Sequence, residues 1–235
     1  MRTILRPSGD QYFWKDAIRD LVVVVAGILA ALWLESWWQD QQDQIEERQI
    51  LTSLKEEFQA NQVQLKDRIE TWTRARSRQV ELHALMGGEI NEESIAEFRS
   101  IYRRSTGNGG RFFFDPRQGQ LTSVINSGKL GLISSPELRS LIADWPALIA
   151  DHDFDQKLWI QMYLGPFGQL EMQHFKAWPD SRFDYPTGEL MQNGFYDNML
   201  DTNAGILSLM IGEGGEIDTA TDKIVELIDA ELGED

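Results

Sequence analysis

The strongest pattern in the chain is an apolar run near the N-terminus. No polar residue interrupts Leu21 to Leu34, which reads LVVVVAGILAALWL. Counted from Ala17 to Trp38, the segment would extend about 33 Å as a helix, enough to cross the hydrocarbon core of a membrane. Tryptophans flank the run, as expected at the two interfaces of a bilayer: Trp14 on one side and Trp33, Trp37 and Trp38 on the other. The pattern predicts a transmembrane anchor over residues 17–38.

Two alternatives to a permanent anchor are a cleaved signal peptide and a buried core helix. A signal peptide fits poorly, because the small residues Ala26, Ala30 and Ala31 lie inside the run and no small-x-small site follows it. A core helix should show a polar residue every three or four positions, and this run shows none. The anchor is therefore the favoured interpretation.

The basic residues that flank the run predict its orientation. Arg2, Arg6, Lys15 and Arg19 precede it, whereas the first basic residue after it is Arg48. Positive residues are retained on the cytoplasmic side of a membrane. We therefore expect residues 1–16 in the cytoplasm and residues 39–235 outside. For a bacterial inner membrane, that places the bulk of the chain in the periplasm.

Small residues in the anchor indicate a place for helix contact. Gly27, Ala30 and Ala31 fall at helical spacing, and small side chains let two membrane helices approach closely. We expect this surface to contact a larger integral membrane complex as well as the lipid bilayer.

The segment after the anchor predicts a long helical extension over residues 39–88. No glycine or proline occurs between Ile28 and Met86, and Gly87-Gly88 supplies a stop. Apolar residues recur close to every 3.6 positions, namely Ile50, Leu51, Leu54, Phe58, Leu65, Ile69, Trp72 and Val80. A parallel coiled coil is an alternative, but Asn61, Arg76 and Gln79 would fall in its seam. Packing against the chain's own later helices is favoured over a homo-oligomer.

Residues 89–235 predict a helical domain outside the membrane. Asn91 can cap a helix, and Ser134 or Ser135 can cap another that has Pro136 at its first position. We predict loops at residues 106–119 and 176–194, and we expect Phe112–Phe114 of the first loop to be buried. Two closing helices are expected at about 195–211 and 217–232, separated by Gly212–Gly215. No alternating pattern is long enough to build a sheet. The predicted fold class is all-α.

Two stretches resemble a bacterial family of single-pass membrane proteins known only as a domain of unknown function. They are the anchor with its charged exit, LVVVVAGILAALWLESWWQDQQDQIEERQILTSLKEEF, and the block NSGKLGLISSPELRSLI. Together they cover about a quarter of the chain. The Leu-Glu-Ser-Trp-Trp exit and the acidity after residue 150 depart from the family's pattern. The resemblance implies an anchored, mostly helical outer domain and carries no catalytic residues.

The net charge and the chemically reactive residues argue against several classes of function. The net charge is −16, and residues 151–235 contain eighteen acidic and four basic side chains, which argues against nucleic-acid binding. The chain has no cysteine. Asp151, His152, Asp153 and Asp155 look like metal ligands, but neighbours on a helix point in different directions, so a solvated acidic turn is favoured. Ser127-Gly128-Lys129 lacks the spacing of a phosphate loop.

The aromatic residues between Trp145 and Tyr185 are predicted to fill the core, with a ligand pocket as the alternative. No catalytic, cofactor-binding or metal residues are assigned. We therefore expect a non-catalytic accessory or scaffolding subunit of a larger membrane complex. The alternatives are a periplasmic hydrolase or metal-binding enzyme domain, and an envelope sensor.

Overall fold

The computed structural model describes residues 10–105, 112–175 and 185–233, and this part of the chain is helical with no β-strand. The prediction of an all-α fold is confirmed. The helices are α1 (Asp10–Ala84), α2 (Glu92–Ser105), α3 (Gly119–Asn126), α4 (Pro136–Met162), α5 (Gly168–His174), α6 (Thr187–Met191) and α7 (Gly194–Leu232). A 3₁₀ turn, Lys129–Leu132, precedes α4, and a π-helical turn, Tyr163–Phe167, joins α4 to α5.

The chain divides into two compact units, Met1–Gln49 and Ile50–Asp235. The described part of the first unit consists of the N-terminal portion of α1, and its apolar side chains are exposed. In the second unit α1 continues to Ala84. Backbone hydrogen bonds from Leu85 and Met86 tighten its last turn, and Gly87 then adopts a φ of +70°, which glycine reaches without strain.

The apolar stripe of α1 is buried within the second unit. Leu51, Leu54, Phe58, Leu65 and Trp72 join one core cluster with side chains from α3, α4 and α7. This is the packing on the chain's own later helices that the periodicity predicted.

One position of that stripe differs from expectation, and one polar residue beside it is buried. Val80 is 49 % exposed, so its assignment to the buried stripe was wrong. Asn61, a polar residue at a predicted seam position, is buried because its amide bonds both backbone groups of Arg117, at 2.7 and 2.8 Å. A buried amide is acceptable where its donors and acceptor are satisfied.

The C-terminal region contains one helix, α7, where the sequence predicted two. The glycines at 212–215 lie inside it. Close packing explains why a glycine occupies position 214 within this helix. A Cβ at this position would lie 3.0 Å from Ile69 Cγ1 and 3.1 Å from Trp72 Cζ3. A glycine that permits close approach of two helices occupies a helical position despite its low propensity. Here packing against α1 outweighs the local signal for a break.

Several local predictions are confirmed. Asn91 Oδ1 accepts from the Ser94 amide at 2.9 Å at the start of α2, and Ser135 Oγ accepts from the Leu138 amide at 3.2 Å at the start of α4. Phe112 and Phe114 are buried. Of the predicted loop at 176–194, residues 176–184 lie outside the described part, and the rest contains the short helix α6.

The π-helical turn between α4 and α5 has a clear cause. Pro166 has no amide hydrogen to donate, and Gly165 leaves the helical region at φ −90° and ψ −131°. The widened turn brings the Tyr163 carbonyl against Gly168, where a Cβ would lie 2.0 Å from that oxygen. Glycine is therefore required at 168. The turn sets the positions of Tyr163 and of α5 with its Glu171.

Candidate functional site

The predicted membrane-facing residues lie in the first unit and are exposed. Trp37 is the least exposed of the four tryptophans at 47 %, and Trp14, Trp33 and Trp38 expose more of their surface. Helix α1 contains a segment that is long and apolar enough to cross a membrane, with a mean hydropathy of 1.9 over 18 residues and none of that window buried.

The small residues of that segment share one side of α1. Gly27, Ala30 and Ala31 are separated by three and four positions and are all exposed. No described atom lies within 4 Å of where a Cβ on Gly27 would be.

A second candidate site is a cavity of about 310 Å³ within the second unit. Its volume lies at the lower end of the range of about 300–1,000 Å³ that is typical of small-molecule sites. The polar part of its lining includes Arg78 and Gln79 from α1, Tyr102 from α2, Glu171 from α5 and Asn203 from α7.

Stacked aromatic rings form the apolar wall of this cavity. The Trp159 ring centroid lies 3.9 Å from that of Phe112 and 4.9 Å from that of Tyr163, with interplanar angles of 21° and 9°. Trp159 Nε1 donates to Asn203 Oδ1 at 2.8 Å, which fixes the indole. The wall is therefore held in place by packing and by a partly buried hydrogen bond.

Glu171 is the acidic group of the cavity lining, and it is buried among tyrosines. Tyr196 Oη donates to Glu171 Oε1 at 3.1 Å, and Tyr102 also hydrogen-bonds to the carboxyl. Burial raises the pKa of Glu171 from 4.5 to about 8, although the two hydrogen bonds oppose the shift. Burial and the nearby Glu171 carboxyl raise the pKa of Tyr102, Tyr163 and Tyr196 as well. At neutral pH this cluster is mostly uncharged.

Two α1 side chains complete the polar lining. Gln79 is 8 % exposed, and its Oε1 is buried without a hydrogen-bond partner among the described residues. Arg78 is partly buried, and this burial, together with Arg74 and Arg104, lowers the pKa of its guanidinium. Gln79 thus carries an acceptor with no partner, which is uncommon for a buried polar atom, and this oxygen is not exposed to the cavity.

His152 corrects the prediction of a solvated acidic turn. The side chain is fully buried, 4.9 Å from the Trp72 ring between centroids, and its Nδ1 lies 3.1 Å from Glu213 Oε2. Burial lowers the pKa of His152 to about 4, and burial with the nearby Asp155 raises the pKa of Glu213 to about 7. The histidine is therefore neutral, and its Nε2 has no partner in the described part of the chain.

The described residues contain no group of three or more His, Asp or Glu that could hold a metal ion. Lys129 of the Ser-Gly-Lys turn is exposed, and Gly128 adopts a φ of +73°. Comparison with family models, with curated proteins and with solved structures found no match for this chain.

The sequence reasoning did not single out Glu171, Gln79 or Glu213. Glu171 lies in the aromatic-rich region whose alternative interpretation was a ligand pocket, so an acidic residue among those aromatics was the available signal. Gln79 was noted only as a polar residue in the helical seam. Glu213 was placed in a supposed break between two helices, and no pattern pairs it with His152.

Proposed function

We propose that this protein is a non-catalytic accessory or scaffolding subunit, anchored in the bacterial inner membrane, that binds a larger integral membrane complex. The observation that carries the proposal is the exposed apolar segment of α1, none of whose most apolar window is buried within the chain. Such a surface is stable only against lipid or another protein. Its length and its flanking tryptophans support a membrane span.

The small residues of the anchor support a protein partner in addition to lipid. Lipid chains pack equally well around large side chains, so lipid alone gives no advantage to glycine or alanine. Close approach of a second helix does, because its association depends on packing between backbones. Gly27, Ala30 and Ala31 supply that flat surface.

The remaining support comes from the sequence. The NSGKLGLISSPELRSLI block and the anchor resemble a single-pass membrane family, and that resemblance supports an anchored helical domain. The positive charges before the anchor favour a cytoplasmic N-terminus and a periplasmic location for the second unit.

Purification of the intact protein in mild detergent, followed by mass spectrometry of what accompanies it, tests the partner. We expect one stoichiometric membrane complex. Replacing Gly27 and Ala31 by isoleucine should release that complex while leaving the protein in the membrane. Val25→Ile, on the opposite side of the helix, is the matched control and should retain it.

The alternatives give distinct results in this experiment. An assembly that contains only copies of this chain would indicate a homo-oligomer. A protein that runs alone at monomer mass in native membranes while its second unit turns over a substrate would replace the subunit proposal by the enzyme alternative.

A reporter fused after Asp235 tests the orientation separately. A reporter that requires the periplasm should be active, and a reporter active only in the cytoplasm should be silent. The reverse result would contradict the proposed topology without affecting the anchor itself.

A further inference from the structure

The cavity in the second unit combines a carboxyl group, tyrosine hydroxyls and stacked aromatic rings. We propose that it binds a small organic ammonium compound, with Glu171 as the countercharge and the aromatic wall around the apolar body. This site lies in the second unit and does not depend on the subunit role.

Glu171 supplies the electrostatic part of the recognition. In the empty cavity its carboxyl is mostly protonated at neutral pH, because its pKa is about 8. An ammonium group beside it favours the carboxylate. Binding then displaces the carboxyl proton to solvent, and the hydrogen bonds from Tyr196 and Tyr102 stabilise the carboxylate that forms.

The titratable groups around Glu171 come from three elements. Tyr102 lies on α2, Tyr163 on the π-helical turn and Tyr196 on α7, and the carboxyl raises the pKa of each. All three hydroxyls stay protonated at neutral pH and can donate. An ammonium group at Glu171 therefore lies beside tyrosine hydroxyls, whose oxygens can accept hydrogen bonds from it.

Arg78 is the opposing charge in the lining. The charged groups that affect its pKa are Arg74, Arg104 and Glu81, whereas the carboxyl of Glu171 is affected by tyrosines. The two side chains therefore have different neighbours. The net charge of −16 also attracts cations to the protein as a whole.

Isothermal titration calorimetry on the full chain in an uncharged detergent tests the proposal, with titration into detergent alone subtracted. Three probes of similar shape are compared: phenethylamine, phenethyl alcohol and hydrocinnamate. At pH 8, where about half of Glu171 is already ionised, we expect phenethylamine to bind about tenfold more tightly than the alcohol, since a hydrogen bond to a charged group contributes about 1.5–3 kcal/mol.

The pH dependence gives a second readout. As the pH increases towards 8, the affinity for phenethylamine should rise about tenfold per pH unit, because binding competes with the proton on Glu171. Buffers with different ionisation enthalpies should show that a proton is released. The affinity for phenethyl alcohol should not rise in this way.

Three variants separate binding from folding. Glu171→Gln keeps the size and an acceptor for Tyr196, and it should lose both the preference for the amine and its pH dependence. Gln79→Met changes the lining without changing the countercharge, and it should keep the preference for the amine. Glu189→Gln removes one exposed carboxylate outside the cavity and should bind like the unmodified protein. Near-ultraviolet circular dichroism confirms that each variant is folded.

Four results would overturn the proposal. Equal affinity for the amine and the alcohol would show that the cavity recognises the apolar body and not the charge. Tighter binding of hydrocinnamate would assign the site to anions through Arg78. If Glu171→Gln bound the amine as tightly as the unmodified protein, Glu171 would not be the countercharge. If no probe bound, the cavity would not be a ligand site.

Discussion

Replacing Glu171 by glutamine should change how the stability of the second unit depends on pH. The folded protein holds the carboxyl proton up to a pKa of about 8, whereas the unfolded chain loses it at 4.5. Between these values the folded state binds more protons than the unfolded state, so the free energy of unfolding falls as the pH rises. Glutamine has no proton to lose and removes this contribution.

The magnitude follows from the two pKa values. Each pH unit between 4.5 and 8 lowers the free energy of unfolding by about 1.4 kcal/mol through Glu171, and the sum over this window approaches about 5 kcal/mol as an upper limit. Glu171→Gln should therefore match the unmodified protein near pH 4.5. It should become the more stable of the two as the pH rises, and the difference should level off above pH 8.

Urea unfolding of the full chain in an uncharged detergent, followed by near-ultraviolet circular dichroism, measures this difference at each pH. Other groups also titrate in this range, notably Glu213 and His152, but they contribute equally to both proteins and cancel in the difference. Glu189→Gln, which removes one exposed carboxylate outside the cavity, is the matched control. A difference for Glu171→Gln that stays flat from pH 5 to 9 would refute a buried, protonated carboxyl.

Three further predictions concern packing, capping and the buried histidine. Gly214→Val should destabilise the second unit by about 1–3 kcal/mol in urea unfolding, because its side chain enters the contact with Trp72, whereas Gly215→Ala, with open space around it, should stabilise by up to about 1 kcal/mol. Asn193→Ala should cost about 1 kcal/mol in the same assay, because Asn193 Oδ1 accepts from two amides at the start of α7. His152 should stay neutral in a histidine-selective NMR titration until the pH falls towards 4. Since the unfolded chain binds that proton near 6.5, this histidine should lower stability as the pH falls from 6.5 to 4.

The sequence predicted those features that depend on neighbours along the chain. The exposed apolar segment of α1, its buried stripe and the caps at Asn91 and Ser135 follow from periodicity and from the hydrogen-bonding needs of helix ends. Each involves residues a few positions apart. Such features can be predicted from the local sequence without knowledge of the tertiary fold.

The features that were wrong or missed depend on contacts between distant residues. Gly214 was read as a helix breaker because its partners, Ile69 and Trp72, lie far away in sequence. His152 was placed in solvent because nothing local shows that Trp72 and Glu213 enclose it. Long-range packing overrides propensity in both cases.

Glu171 presents a choice between a structural and a binding role. The hydroxyls of Tyr102 and Tyr196 need an acceptor where they are buried, and the carboxyl supplies one. A glutamine oxygen would supply an acceptor too, without the loss of stability that a raised pKa brings as the pH rises. Glutamine has one acceptor oxygen where the carboxylate has two, and it cannot gain a negative charge when a cation enters. A structural role predicts that Glu171→Gln changes stability alone, whereas a binding role predicts that it also abolishes the preference for the amine, so the two measurements together decide between the roles.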